Sequence, residues 1–204
     1  MGVTERKERE KAELKELILN ASKKLLLKYG QDGLSIRKIA KAIEYSPATL
    51  YLYYKDKDEI MHELMEVGFS VMGKYMMESY QEPNPAKRIH MIGTAYIKFG
   101  MENKYWYDLM FNSDKQMKLI EKCREEWDQG MQMFDYLANT CQEAILHLGM
   151  KDVEPRILAL HLWSAVHGLI NLAQGERLDI VEVNQVDTLL QRTLDSVFKT
   201  VFKE

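Results

Sequence analysis

The sequence predicts an all-α protein, and three observations carry that reading. Apolar residues recur at helical spacing along most of the chain, Leu14, Leu17, Ile18, Ala21, Leu25 and Tyr29 forming the first such series. No segment sustains the period-two alternation of a half-buried strand, and the Asp32-Gly33 pair sits between helical stretches instead of between strands. Turn residues fall where the series end or begin: Gly30 and Gly149 after two of them, Ser46-Pro47 ahead of another, Pro83-Asn84-Pro85 between two more.

Each element follows from local chemistry. The first series spans about five turns or more and stops at Gly30, a residue suited to a helix C-cap. Ser35 opens a short segment with apolar positions Ile36, Ile39, Ala40 and Ile43. Ser46-Pro47 sets a capping hydroxyl ahead of the helical position where proline's missing N–H costs nothing, so a third helix runs from there to Tyr53. Asp56, three residues ahead of Glu59, reads as a capping-box variant launching a long helix to about Tyr80. The two prolines at 83 and 85 break it, since neither donates to the ladder and each pushes its predecessor out of the α region. Ile89, Gly93, Tyr96, Ile97 and Gly100 line a fifth helix. Tyr105 to Phe111 forms a short aromatic one, and a long helix runs from about Asp114 to Leu148, with Gly130 a candidate bend. Residues 155–173 are apolar almost all the way round. The last helix carries a stripe of Val186, Leu189, Leu190, Thr193, Leu194, Val197 and Val201. The expected total is about nine helices.

Composition bounds the function. With 204 residues, 46% of them apolar and 29% charged, the chain has the balance of a globular protein with a substantial core. No uninterrupted apolar run reaches the roughly 20 residues of a bilayer span. Residues 4–16 alternate acid and base without a secretory pattern, so a cytoplasmic protein without membrane partners is expected. Cys123 and Cys141, 18 residues apart on one expected helix, would lie about 27 Å apart and cannot bridge. The net charge of −3 divides unevenly: residues 1–57 carry +5 and the remainder −8. A basic head on an acidic body suggests that one end meets a polyanion.

The head holds the most specific pattern. The segments Ser35–Ile43 and Pro47–Tyr53, joined by Glu44-Tyr45-Ser46, have the lengths and turn of a helix-turn-helix. The runs Gly33-Leu34-Ser35-Ile36-Arg37-Lys38-Ile39-Ala40 and Ser46-Pro47-Ala48-Thr49-Leu50-Tyr51-Leu52-Tyr53-Tyr54-Lys55-Asp56-Lys57-Asp58-Glu59-Ile60 resemble the TetR family of transcriptional regulators. Members often place glycine and valine in the turn, where this chain has Glu44 and Tyr45. A left-handed residue there without glycine costs roughly 1 kcal/mol. Leu50 and Tyr54, four apart, should face the core. The resemblance implies phosphate contacts for Thr49, Tyr53 and Lys57, and base or near-base contacts for Arg37, Pro47, Ala48 and Tyr51. Arg37 could meet both guanine acceptors. The arm Glu5–Lys11, with its interleaved glutamates, reads as a solvated, frayed helix.

The body reads differently. Beyond residue 57 lie 12 of the 13 methionines, all three tryptophans and all six phenylalanines, which suits either an ordinary core or an adaptable apolar pocket. Trp163-Ser164-Ala165-Val166-His167-Gly168 resembles the Trp-His-Gly signature of one TetR-type C-terminal domain. Candidate pocket residues are Phe69, Met72, Tyr96, Trp106, Met110, Trp127, Met131 and His167. The five histidines show no metal spacing such as HExxH, and no GxSxG or phosphate-binding glycine loop occurs, so neither enzyme chemistry, metal nor cofactor is expected. The expectation is therefore a helix-turn-helix domain over 1–57 and a ligand-binding, dimerising domain over 58–204. Together they would make a ligand-responsive repressor that binds a near-palindromic DNA operator as a homodimer through its last two helices, and that a mostly apolar effector releases. The alternative is a helical small-molecule-binding protein or enzyme without specific DNA binding.

Overall fold

The computed structural model describes residues 2–112, 128–178 and 185–202, and among those residues the regular secondary structure is all helical, without strands. In chain order the helices are α1 (Val3–Tyr29), α2 (Ile36–Ala42), α3 (Pro47–Leu50), α4 (Lys57–Met76), α5 (Pro85–Glu102), α6 (Lys104–Phe111), α7 (Asp128–Leu148), α8 (Pro155–Gln174) and α9 (Val186–Phe202). Short 3-10 turns cover Gln31–Gly33 and Met77–Gln81. The chain forms two compact units, residues up to 68 with 105–112 in one, and 69–104 with the described residues from 128 onward in the other.

In the first unit the helix starts are capped as their sequences demand. Ser35 Oγ accepts from Lys38 N at 3.2 Å and Ser46 Oγ from Thr49 N at 3.1 Å. Asp56 Oδ1 accepts from both Asp58 N and Glu59 N, at 2.9 and 3.1 Å. Glu59 reaches back one residue further than a standard capping box, its carboxylate accepting from Lys55 N at 2.6 Å. Gly30 ends α1 with φ 66°. The α1 core line is Ile18, Ala21, Ser22 and Leu26, with Leu17 and Tyr29 turned outward. The buried Ser22 hydroxyl satisfies itself on the Ile18 carbonyl at 2.8 Å. The arm ahead of it is helical from Val3 on, with Arg6 paired to Glu10 and Arg9 to Glu13 one turn apart. In α6, Trp106 and Met110 are buried against Gly68 of α4, where an added Cβ would meet Met110 Sδ at 2.7 Å.

Two expected boundaries move. The third helix is α-helical only over Pro47–Leu50 and continues as turns through Tyr53, although Tyr54 N still donates to the Leu50 carbonyl at 3.0 Å. The fourth tightens into a 3-10 turn at Met77 rather than running to Tyr80. Ser79 Oγ there donates to the Met76 carbonyl at 2.6 Å, and the Tyr80 ring lies 4.5 Å from that of Tyr136.

In the second unit α5 packs against α7, α8 and α9, and α8 packs on both α7 and α9. Asn84 caps α5, its side-chain oxygen accepting from Ala86 N and Lys87 N. Two α5 glycines allow close approach: a Cβ at Gly93 would meet Leu194 Cδ1 at 2.9 Å, and one at Gly100 would meet Ile170 Cδ1 at 2.8 Å. Ile89, Ala138, Cys141, Ala144, Leu158, Leu162, Phe198 and Phe202 belong to the central cluster. The buried line of α9 is thus Leu190, Leu194, Phe198 and Phe202, two of them outside the expected stripe. α8 buries Leu158, Ala159, Leu162, Val166 and Ile170 and leaves Ile157, Leu160 and Leu172 exposed. By length and composition alone, with a mean hydropathy of 1.2, α8 is apolar enough to cross a membrane, despite lacking an uninterrupted apolar run.

Candidate nucleic-acid interface and effector site

The helix-turn-helix geometry begins with the turn. Glu44 adopts φ 60°, the left-handed conformation that favours glycine, and Tyr45 N then reaches back to the Ala40 carbonyl at 3.0 Å. That turn leads into a reading helix held from behind. Leu50 is 0% exposed and Tyr54 1%, so both face the core as their spacing predicts. Tyr54 Oη donates to Glu63 Oε2 at 2.7 Å, and the Lys15 ammonium pairs with the same carboxylate while lying over the Tyr54 ring. Burial first, then the Glu63 carboxylate, hold the Tyr54 phenol well above the usual tyrosine range. This tie between α1, the end of the reading helix and α4 escapes sequence inspection, because Lys15 and Glu63 each look like solvated charges.

The opposite surface carries the candidate contacts. Arg37, Pro47, Ala48 and Tyr51 are exposed, whereas Thr49 and Tyr53 are half-buried. Thr49 Oγ1 also shares a 2.9 Å hydrogen bond with the Ser46 hydroxyl. Lys57, at the first turn of α4, donates through Nζ to the Gln31 carbonyl at 3.1 Å.

The body candidates separate. Phe69, Met72 and Tyr96 are buried in the second unit, His167 is half-buried there and Met131 is exposed. Trp106 and Met110 are core residues of the first unit, and Trp127 lies outside the described residues. Tyr96 and His167 do meet. The Trp163 indole N–H donates to Tyr96 Oη at 2.9 Å, and that oxygen lies 3.4 Å from His167 Nδ1. An indole N–H can only donate, so the tyrosine oxygen accepts from it, while the direction of its contact with Nδ1 follows the imidazole tautomer. Burial lowers the His167 pKa, which favours the neutral imidazole. Cys141 lies in the core of the same unit, its thiol pushed up to about 12 by burial.

Residues 18–64 match the tetR family of bacterial regulatory proteins, and residues 89–197 match the tetracyclin repressor-like C-terminal domain. An uncharacterized HTH-type transcriptional regulator of Haemophilus influenzae is 32% identical over 151 residues, 69% of this chain and 80% of that one. The chain belongs to the TetR family. TetR-family proteins are DNA-binding transcriptional regulators and not enzymes. Solved structures share the fold at low identity. A protein of unknown function from Rhodococcus sp. RHA1 superposes with a TM-score of 0.74 at 22% identity, over 92% of this chain and 94% of that one. AibR in complex with isovaleryl coenzyme A and operator DNA superposes at 0.62 with 15% identity, over 92% and 97%.

Within this TetR-family chain, sequence reasoning missed Trp163 as a member of the polar group around Tyr96. Its signal was present in the i, i+4 pairing of Trp163 with His167, whose rings stand 5.9 Å apart. Nothing in the sequence pointed to Tyr96 as the acceptor, 67 residues away.

Proposed function

We propose that this regulator is a repressor, with residues 1–57 reading a near-palindromic operator and residues 58–204 binding an effector and a second copy of the chain. One observation carries the reading. The reading helix buries Leu50 and Tyr54 and leaves Pro47, Ala48 and Tyr51 exposed, as is Arg37 of α2, on a segment whose net charge is +5. In that arrangement Arg37, Pro47, Ala48 and Tyr51 meet base edges. Thr49, Tyr53 and Lys57 meet phosphates.

The homodimer forms through α8 and α9, where the exposed Ile157, Leu160 and Leu172 take a partner copy rather than lipid. Sedimentation at micromolar concentration checks this, and a monomer rejects it. The effector is mostly apolar and binds in the second unit against Phe69, Met72 and Met131, with Tyr96 and His167 as its polar contacts. AibR, which shares the fold, offers a precedent for one chain meeting both a small ligand and operator DNA. α4 supplies residues to both units, so a ligand that shifts it changes how Lys57 is presented; the effect on operator affinity equals the effect of operator on ligand affinity.

Binding to duplexes enriched from a random pool tests the operator reading. Arg37→Ala should cost about 1–3 kcal/mol and relax discrimination at one base pair, while Lys57→Ala should weaken all sequences alike and flatten the salt slope by about one unit. Equal losses on enriched and random DNA for both variants would remove Arg37 from base reading.

A further inference from the structure

We infer that the reading helix recognises thymine methyl groups, and that Leu52 is the residue that reads them; the inference rests on the operator-binding reading above. From Ser46 to Tyr54 the chain contains no Arg, Lys, His, Asp, Glu, Asn or Gln. The paired donors and acceptors that distinguish guanine or adenine in a major groove are therefore absent from this helix. What it turns outward is apolar. At about 100° per residue, Ala48 lies roughly 160° round from the buried Leu50, and Leu52 follows in the turns that continue from α3. Leu52 is 77% exposed, and among the described residues no large hydrophobic is more so. Tyr51, beside it, is 56% exposed.

A bare leucine on an exposed turn is unfavourable in water and becomes useful when another apolar group covers it. The +5 charge of residues 1–57 selects a polyanion as the occupant, and the apolar group that a duplex displays in its major groove is the C5 methyl of thymine. Ala48, ahead of Leu52, is small enough to let this surface approach the base edges. The half-site then holds thymine under this surface, while guanine recognition falls to Arg37 on α2.

The test uses the full-length protein and duplexes enriched by it from a random-sequence pool. Each thymine of the enriched half-site is replaced in turn by deoxyuridine, which removes the methyl and leaves base pairing intact. At one or more positions the replacement should weaken the wild-type protein about fourfold, the effect of one buried methyl. Leu52→Ala should bind the thymine and deoxyuridine duplexes alike at that position, while Leu52→Met, which keeps an apolar side chain there, retains the difference. An unchanged melting curve for Leu52→Ala separates this from loss of fold. Equal wild-type affinity for thymine and deoxyuridine at every position, or an undiminished difference in Leu52→Ala, overturns the inference and leaves operator binding standing. Failure to enrich any sequence overturns both.

Discussion

The two units of this chain satisfy their polar groups over different distances along the sequence. In the first, most side-chain hydrogen bonds close within four residues: Ser22 to Ile18, Lys38 to Ser35, Thr49 to Ser46, Glu59 to Asp56. In the second, several join residues far apart along the chain. Tyr75 donates to Glu102, 27 residues on, Trp163 to Tyr96 across 67, Gln174 to the Gly100 carbonyl across 74, and His90 pairs with Asp195 across 105. Local bonds fix where each short helix begins and so preset the reading surface before tertiary packing. Distant bonds fix how long helices lie against one another, and they exist only when the whole unit is assembled.

The sharpest way to break this contrast is to remove packing from the unit with the local bonds. Leu50 is 0% exposed, so Leu50→Ala should destabilise by about 2–5 kcal/mol in denaturant unfolding. A loss below about 1 kcal/mol would mean that caps alone hold the reading helix.

Next in size is the bond that bridges the most informative pair in the second unit. Tyr96→Phe removes the acceptor of the Trp163 indole N–H, a part-buried donor, and should cost about 1–3 kcal/mol. The same site gives a pH effect with a definite sign. Burial lowers the His167 pKa, so the unfolded chain takes up this proton at higher pH than the folded one. Stability should fall as pH drops through the ordinary histidine range near about 6.5, and His167→Gln should flatten that slope. An unchanged slope would place this acid sensitivity on another group, and not at Asp195. There hydrogen bonds from His90 and Gln191 lower the carboxyl pKa, and the resulting stability is lost only at more acidic pH.

The contrast also explains what could be read from residue order. Ser35, Ser46 and Asp56 announce their helices because a cap acts on the next two or three N–H groups, and each does so in the structure. Leu50 and Tyr54 are legible for the same reason, since one helical turn decides which way they point. Glu63 was opaque: its two partners, Lys15 and Tyr54, come from separate helices. The pocket candidates suffered most, because helical spacing identifies an apolar face without naming what it faces. Trp106 and Met110 face Gly68, and Phe198 and Phe202 complete a stripe that spacing alone had ended with valines.

The smallest expected effect concerns the one place in the reading motif where local chemistry works against the fold. Glu44 holds φ 60°, which costs a residue with a β-carbon about 1 kcal/mol relative to glycine. Glycine at this position removes that cost but loosens the unfolded chain by about 0.4–1 kcal/mol, so Glu44→Gly should stabilise by about 0.5 kcal/mol or less. The substitution also removes a negative charge next to the proposed phosphate-facing surface, and the two effects need separating. Glu44→Ala removes the charge and keeps the strain, and should gain DNA affinity without gaining stability. Equal stabilisation by alanine and glycine would show that charge repulsion, and not the left-handed backbone, is what the turn tolerates.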